Sequence, residues 1–291
     1  IEKVEENAFV QFSVDTNFFM EIAKLRAFRI LWKAFGEAFG KENAKAIPVY
    51  AETSLRSFSA LDETVNLLRA GNSTLSCVLG GADFISAYPY NYLTGTTATS
   101  NRIARNMQLV LKEETHIQRV IDAAGGSFYI ESLTNQLVEK AWTYFIELMK
   151  DSSPESRESM LLQRAQEKWE LQLKAVSSRK KSLIGTNNYA NPDDVIENPV
   201  KHTDYKRLAE PFEDLRKAFK QFPLKAAILP YGVLKEYKPR LDYVNGFLNA
   251  IGITPVLAEA NLKPFDLQQW IENDNIQYAV FVGNDDQTAG L

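Results

Sequence analysis

Two histidines, one cysteine and a few paired glycines and acids are the residues to which generic chemistry would first look. Cys77 sits in the apolar stretch Leu75–Leu79 with no basic neighbour. Nothing there would lower a thiol pKa, so it reads as a buried, inert thiol inside a strand. His116 follows Glu113-Glu114-Thr115. A carboxylate-paired imidazole at a helix end is the expectation, and without a Ser or Cys elbow it makes no general base. His202 lies in a polar segment and reads as solvated. Gly80-Gly81 and Gly125-Gly126 form neither G-x-G-x-x-G nor a Walker sequence, so they read as structural turns rather than phosphate cradles. Asp285-Asp286 reads as a solvated loop, since two adjacent acids are too few for a cation site. Phe18, Trp32, Phe35 and Trp142 recur at helical spacing and read as core, not as a base-stacking platform. No catalytic constellation assembles from these groups.

The bulk numbers narrow the classes further. The chain has 291 residues, 45% of them hydrophobic and 24% charged. That is an ordinary globular composition, long enough to bury a core without a disulfide or metal staple. One cysteine excludes a disulfide framework, and two histidines starve a His-rich metal centre. Against 33 basic residues stand 37 acidic ones, a net charge of −4 that leaves no nucleic-acid footprint. No apolar run approaches the ~20 residues of a membrane span. The opening residues are acidic where a signal peptide needs bases. A soluble, reduced, cytoplasmic protein is expected, and a first residue other than Met reads as a trimmed or processed start.

The elements expected to carry these residues alternate. Residues 17–39 predict an amphipathic helix with Phe18, Ile22, Leu25, Trp32 and Phe35 on one face, ending at Gly40. Residues 47–51 predict a strand running into a polar tip at Glu52-Thr53-Ser54. A helix over 61–70 ending at Gly71, a strand over 75–79 and a polar tip over 85–91 follow. Helical patterns return at 100–114, 133–149 and 155–176, and one more starts at Tyr205. Residues 185–204, with Asn-rich turns and two prolines, read as an extended linker. From Leu224 on, strands at 225–230, 253–257 and 277–283 alternate with helices at 236–251 and 264–273. That rhythm is an α/β fold with parallel strands. Two or three strands before Gly126 cannot close an eight-stranded barrel, and three after Leu224 are half a doubly wound sheet, so both ends read as cut.

Four segments are more specific. Residues 17–32 (NFFMEIAKLRAFRILW), 102–115 (RIARNMQLVLKEET), 120–134 (VIDAAGGSFYIESLT) and 184–189 (IGTNNY) resemble, in family order, the signature stretches of methylmalonyl-CoA mutases. That resemblance implies the C-terminal part of a TIM-type (β/α)8 barrel over residues 1–150. It further implies a helical linker region over 151–222 and a truncated flavodoxin-like, cobalamin-binding-type domain over 223–291. The family rearranges the carbon skeleton of an acyl-CoA with adenosylcobalamin.

The departures from the family pattern set the expected role. Catalytic chains carry D-x-H-x-x-G after the first strand of the cobalamin domain, with the imidazole as lower cobalt ligand and the Asp orienting it. The matching stretch here, Pro230–Pro239, has no histidine, and Tyr237 lies near the ligand's place. A phenol with pKa ~10 is a poor cobalt ligand. Where the family has T-H-C-Q-T-S-G at a barrel strand end, this chain has Tyr50 for the His and Glu52 for the Gln, while Thr53 and Ser54 persist. A carboxylate facing a thioester supplies charge where hydrogen-bond donors are wanted. The resemblance therefore implies a small, non-catalytic subunit with a vestigial pocket at Tyr50, Glu52, Thr53 and Ser54, no catalytic residue and no cofactor of its own. It would pair in a heterodimer with a large subunit holding adenosylcobalamin. The alternatives are a catalytic acyl-CoA mutase that binds cobalamin without a protein His, and a module that binds CoA esters.

Overall fold

The computed structural model describes residues 6–41, 45–151, 153–196, 198, 200 and 205–285. His202 and Asp286 lie outside the described residues. The chain divides into two compact units, one built from 6–58, 63–171 and 205–207, the other from 59–62, 172–200 and 208–285.

In the first unit, β1 (Val10–Val14), β2 (Val49–Thr53) and β3 (Phe84–Ser86) form a parallel sheet in sequence order. Helix α1 (Phe18–Ala38) crosses from β1 to β2, and α2 (Val65–Leu79) from β2 to β3. Val10, Phe12 and Val14 alternate with Gln11 and Ser13, the two-residue period of a strand covered on one face. Val14, Val49 and Ala51 pack with Leu25 of α1 and Cys77 of α2, all fully buried, and this layer is the heart of the unit. A Leu buried as completely as Leu25 contributes about 1.5–3 kcal/mol. The opposite face carries two cross-strand rows, Gln11–Tyr50–Phe84 and Ser13–Glu52–Ser86.

Helix α3 (Ala98–Leu109) opens with a capping box in which Thr97 and Ser100 bond reciprocally, and runs into a π-helical turn, Val110–Glu114. Helix α4 (Phe128–Met149) packs along α1, and α5 (Pro154–Ser177) follows. Trp32, Phe35, Trp142 and Phe145 form a half-buried aromatic seam between α1 and α4, with Phe35 and Phe145 edge to face at 6.0 Å. The aromatics expected in the core thus lie at its margin.

In the second unit, α6 (Glu210–Gln221) precedes β4 (Ala226–Pro230), α7 (Leu234–Ala250), β5 (Val256–Leu257), α8 (Pro264–Asp274) and β6 (Tyr278–Val282). The sheet is parallel with order β5-β4-β6. β4 is buried along its whole length, as a central strand of a parallel sheet must be, and its near-continuous apolar run follows from that.

Several expectations are corrected. Residues 75–79 are the last turns of α2, not a strand, and α2 runs straight through Gly71. Its inner face is Asn66, Arg69, Ala70, Ser73, Thr74 and Cys77, a helical period written in small and polar residues that a hydrophobic pattern misses. β1 went unanticipated, and β3 occupies part of the supposed polar tip at 85–91. Helix α4 starts at Phe128, directly after the glycine turn, and α6 starts at Glu210, after Tyr205, Leu208 and Ala209. The described part of 185–204 is a pinned series of turns rather than an extended linker. Asn187 is fully buried, its side chain accepting from the Leu183 N–H (2.6 Å) and donating to Val176 O (2.7 Å) and Lys181 O (2.9 Å). Arg216 reaches the carbonyls of Pro192 and Asp194 from α6. Side chains that supply their own backbone partners let such a segment be buried without joining a sheet or helix.

Candidate functional site

In parallel α/β sheets the strand ends that feed into helices carry the chemistry, because side chains and loop amides converge there. At that end of the first sheet stand Asp15 after β1, Glu52-Thr53-Ser54 at β2 and Tyr88 just beyond β3. Strand alternation divides the four expected pocket positions. Tyr50 and Glu52 point away from the helices and are half-buried, whereas Thr53 is buried on the helix side. Thr53 Oγ1 accepts the Tyr88 N–H at 2.9 Å. The Tyr88 hydroxyl then donates to Glu52 Oε2 at 3.4 Å, and its ring leans on Tyr92 with centroids 4.6 Å apart. Burial first, and the negative charge of Glu52 second, push the Tyr88 phenol up to about 12. Ser54 is a turn former. Its N–H bonds to Val14 O at 2.8 Å and its Oγ accepts from the Arg56 N–H at 3.1 Å.

Tyr88 and Asp15 are the residues that sequence reasoning missed. Asp15 accepts from Ser57 Oγ at 2.6 Å and from the Thr16 N–H at 2.8 Å, locking the loop after β1. The two-residue alternation of 10–14 is the signal that would have placed it at a strand end. The cluster holds a carboxylate capped by a neutral phenol. Near neutral pH such a phenol donates a hydrogen bond but moves no proton.

The second expected position, Tyr237, lies half-buried in the first turn of α7, beyond the loop Tyr231-Gly232-Val233. Gly232 adopts φ 93°, a conformation that favours glycine. Its N–H donates to Asn261 Oδ1 at 2.7 Å and its carbonyl accepts from Asn261 Nδ2 at 3.0 Å. The loop after β4 is therefore clasped to the loop after β5, with its peptide groups already paired. A corrin with a protein-borne lower ligand needs an imidazole here, and this loop offers none. The donor set does not fit that cofactor.

The remaining candidates resolve locally. Cys77 is buried in α2, and its thiol is pushed up to about 12 by burial and, less, by the charge of Glu21. His116 is exposed at φ 55° beyond the π-helical turn and makes no side-chain hydrogen bond or ion pair among the described residues, contrary to the expected carboxylate pairing. Gly80 closes α2 against α1, where a Cβ would stand 2.6 Å from Leu25 Cδ1, and Gly126 lies in the turn entering α4. Asp285 is ion-paired with Arg240. Among the described residues no group of three or more His, Cys, Asp or Glu side chains could hold a metal ion, and no helix is long and apolar enough to cross a membrane.

Comparison with known proteins adds the following. The sequence pattern of the family described as Methylmalonyl-CoA mutase matches residues 1–225. A methylmalonyl-CoA mutase small subunit from Porphyromonas gingivalis is 36% identical over 197 residues, covering 65% of this chain and 32% of the relative. A methylmalonyl-CoA mutase small subunit from Propionibacterium freudenreichii subsp. shermanii is 43% identical over 135 residues, 45% of this chain and 21% of its own length. A Rhizobium meliloti methylmalonyl-CoA mutase is 41% identical over 134 residues, 45% of this chain and 19% of the relative. The chain thus spans at most about a third of the length of these curated relatives.

Proposed function

The chain belongs to the methylmalonyl-CoA mutase family, and from that premise we propose that it is the small, non-catalytic subunit of an adenosylcobalamin-dependent mutase. The complex would interconvert methylmalonyl-CoA and succinyl-CoA in the cytoplasm, with a larger partner subunit holding the cofactor and the reacting acyl group. In this reading residues 1–150 are neighbouring strands and helices of a (β/α)8 barrel, 151–222 a helical linker region, and 223–291 a flavodoxin-like domain. The strand order β5-β4-β6 supports the last assignment, since it is the 2-1-3 order with which flavodoxin-like sheets begin. The curated small subunits among the relatives support the role.

The observation that carries the proposal is the loop after β4, which has no imidazole and whose Gly232 peptide groups are taken by Asn261. Tyr50 and Glu52 at the strand end agree with it, because Glu52 is committed to a phenol rather than offered to a thioester. The chain would then act through binding, raising the folded population of its partner by linkage. Co-expression with the larger subunit, followed by size-exclusion chromatography at micromolar concentration, tests the pairing. Co-elution is expected, and separate elution overturns it. An absorbance titration of this chain alone with cobalamin tests the cofactor assignment. No saturable spectral change is expected, and a saturable one moves the corrin into this chain.

A further inference from the structure

Helix α7 carries Pro239 in its interior, where proline cannot donate the backbone bond owed to the carbonyl four residues earlier. The ladder is interrupted there, and the half beyond it, 240–250, is held from outside the helix. Its anchor is Arg179, which follows the end of α5 at φ 58°. A left-handed residue closes a helix at this place, where glycine would sit at less cost. The Arg179 N–H bonds to Val176 O at 3.0 Å and the Lys181 N–H to Ala175 O at 2.9 Å. The backbone of the turn is thus fixed before the long side chain reaches anything.

The Arg179 guanidinium lies in a notch left open by Gly246. A Cβ on that residue would stand 2.9 Å from Nη2 and 3.0 Å from Nη1. Tyr243 and Phe247, one helical turn apart, flank the notch with ring centroids 5.6 Å apart. The guanidinium carbon is 5.4 Å from the Tyr243 centroid and 5.7 Å from that of Phe247, both within the ~6 Å reach of a cation–π contact. Nη1 donates to the Tyr243 carbonyl at 3.0 Å, and Nη2 to Asn188 Oδ1 at 2.8 Å. Two rings and two acceptors met by different nitrogens suit a planar fork, where a compact ammonium would reach one acceptor at a time. Asn188 belongs to the other side of the contact as well. Its Nδ2 donates to Ser182 Oγ at 3.3 Å and its carbonyl accepts the Gly185 N–H at 2.9 Å. Asn187 beside it ties Val176, Lys181 and Leu183 together, so 176–188 is one cross-bonded strap.

We propose that Tyr243, Gly246 and Phe247 of α7, with Asn188, form a guanidinium-binding notch whose occupant is Arg179, and that this contact latches the strap onto the half of α7 beyond Pro239. Strap and half-helix then open and close as one unit. The first turns of α7, on the other side of Pro239, stay outside that unit.

Gly246→Ala gives the test its sign. Alanine for glycine inside a helix ordinarily raises stability, but here the added Cβ drives the guanidinium out of the notch. The urea midpoint of Gly246→Ala should fall in the otherwise unaltered chain and rise in an Arg179→Met background. The same sign in both backgrounds overturns the notch. Hydrogen exchange read by mass spectrometry follows the latch directly. Arg179→Met should speed exchange over 240–250 and over 182–189 together, by at least ~10-fold. Faster exchange in only one of them, or in neither, overturns the shared opening. Chemical rescue identifies the ligand class. Millimolar ethylguanidinium should restore protection to Arg179→Ala while ethylammonium restores none, and equal rescue by the two ions, or by neither, overturns the guanidinium site.

Discussion

Tyr88 and Glu52 form a pair in which each side chain limits what the other can do. Glu52 holds the phenol proton, and the phenol occupies a carboxylate oxygen that would otherwise face outward. The sign of the pH effect follows from the raised phenol pKa. The folded chain holds this proton up to about 12, whereas the unfolded chain releases it near the ordinary value of 10. The stabilisation is fully present below pH 10 and is lost as pH rises through 12. Tyr88→Phe should flatten the fall in stability between those limits. Glu52→Gln, which removes a charge, should move this phenol back toward 10 in an ultraviolet difference titration. An unchanged titration in Glu52→Gln would show that the carboxylate has no hold on the proton. Arg216 is the other decisive single residue. Its guanidinium donates to the carbonyls of Pro192, Asp194, Asn249 and Ala250, at 2.8–3.3 Å, from a site where burial lowers its pKa. Arg216→Met keeps the volume and strands those carbonyls, for a loss of about 3 kcal/mol in urea unfolding. Arg216→Lys should recover little, since one ammonium cannot span four acceptors. A loss below ~1 kcal/mol in Arg216→Met would mean that water replaces it.

Helix α2 shows how elements in this chain are held by close approach as much as by apolar bulk. Gly71 and Gly80 lie in and at the end of the same helix but face different surroundings. A Cβ on Gly71 would meet nothing nearer than Met107 Sδ at 3.9 Å, whereas one on Gly80 would meet Leu25 Cδ1 at 2.6 Å and Leu25 Cβ at 2.9 Å. Gly71→Ala should therefore stabilise by about 0.5–1 kcal/mol through helix propensity. Gly80→Ala should destabilise by about 1–3 kcal/mol, because Leu25 is fully buried and cannot retreat. Denaturant midpoints that moved in the same direction would refute this account of the α1–α2 contact. The same helix marks the limit of sequence reading. α1 was legible because its apolar residues recur at helical spacing, and the second unit because β4 is an apolar run bounded by turns. The part of α2 beyond Gly71 was not, because small and polar residues such as Ser73, Thr74 and Ser76 carry its buried period. Tyr50 and Glu52 could be placed at a strand end from the apolar run over 47–51 and the polar tip that follows it. Their partner Tyr88 is 36 residues from Glu52 in sequence, joined to it only by the β2–β3 pairing, so no local pattern pointed there.

For the molecule as a whole, the supporting role proposed above has one thermodynamic basis, which is to bind the folded form of another protein better than the unfolded form. Linkage then gives the size of the effect. A partner at a free concentration 100 times its Kd stabilises this chain by about 2.7 kcal/mol, and each tenfold increase adds about 1.4 kcal/mol. The unfolding temperature of this chain should therefore climb with the concentration of the larger subunit, with no change when cobalamin alone is added. Scanning calorimetry of mixtures at several subunit ratios reads both at once. If the melt is blind to the larger subunit yet shifts with cobalamin, the chain is stabilised by the cofactor and not by a partner, and the supporting role assigned to it is wrong.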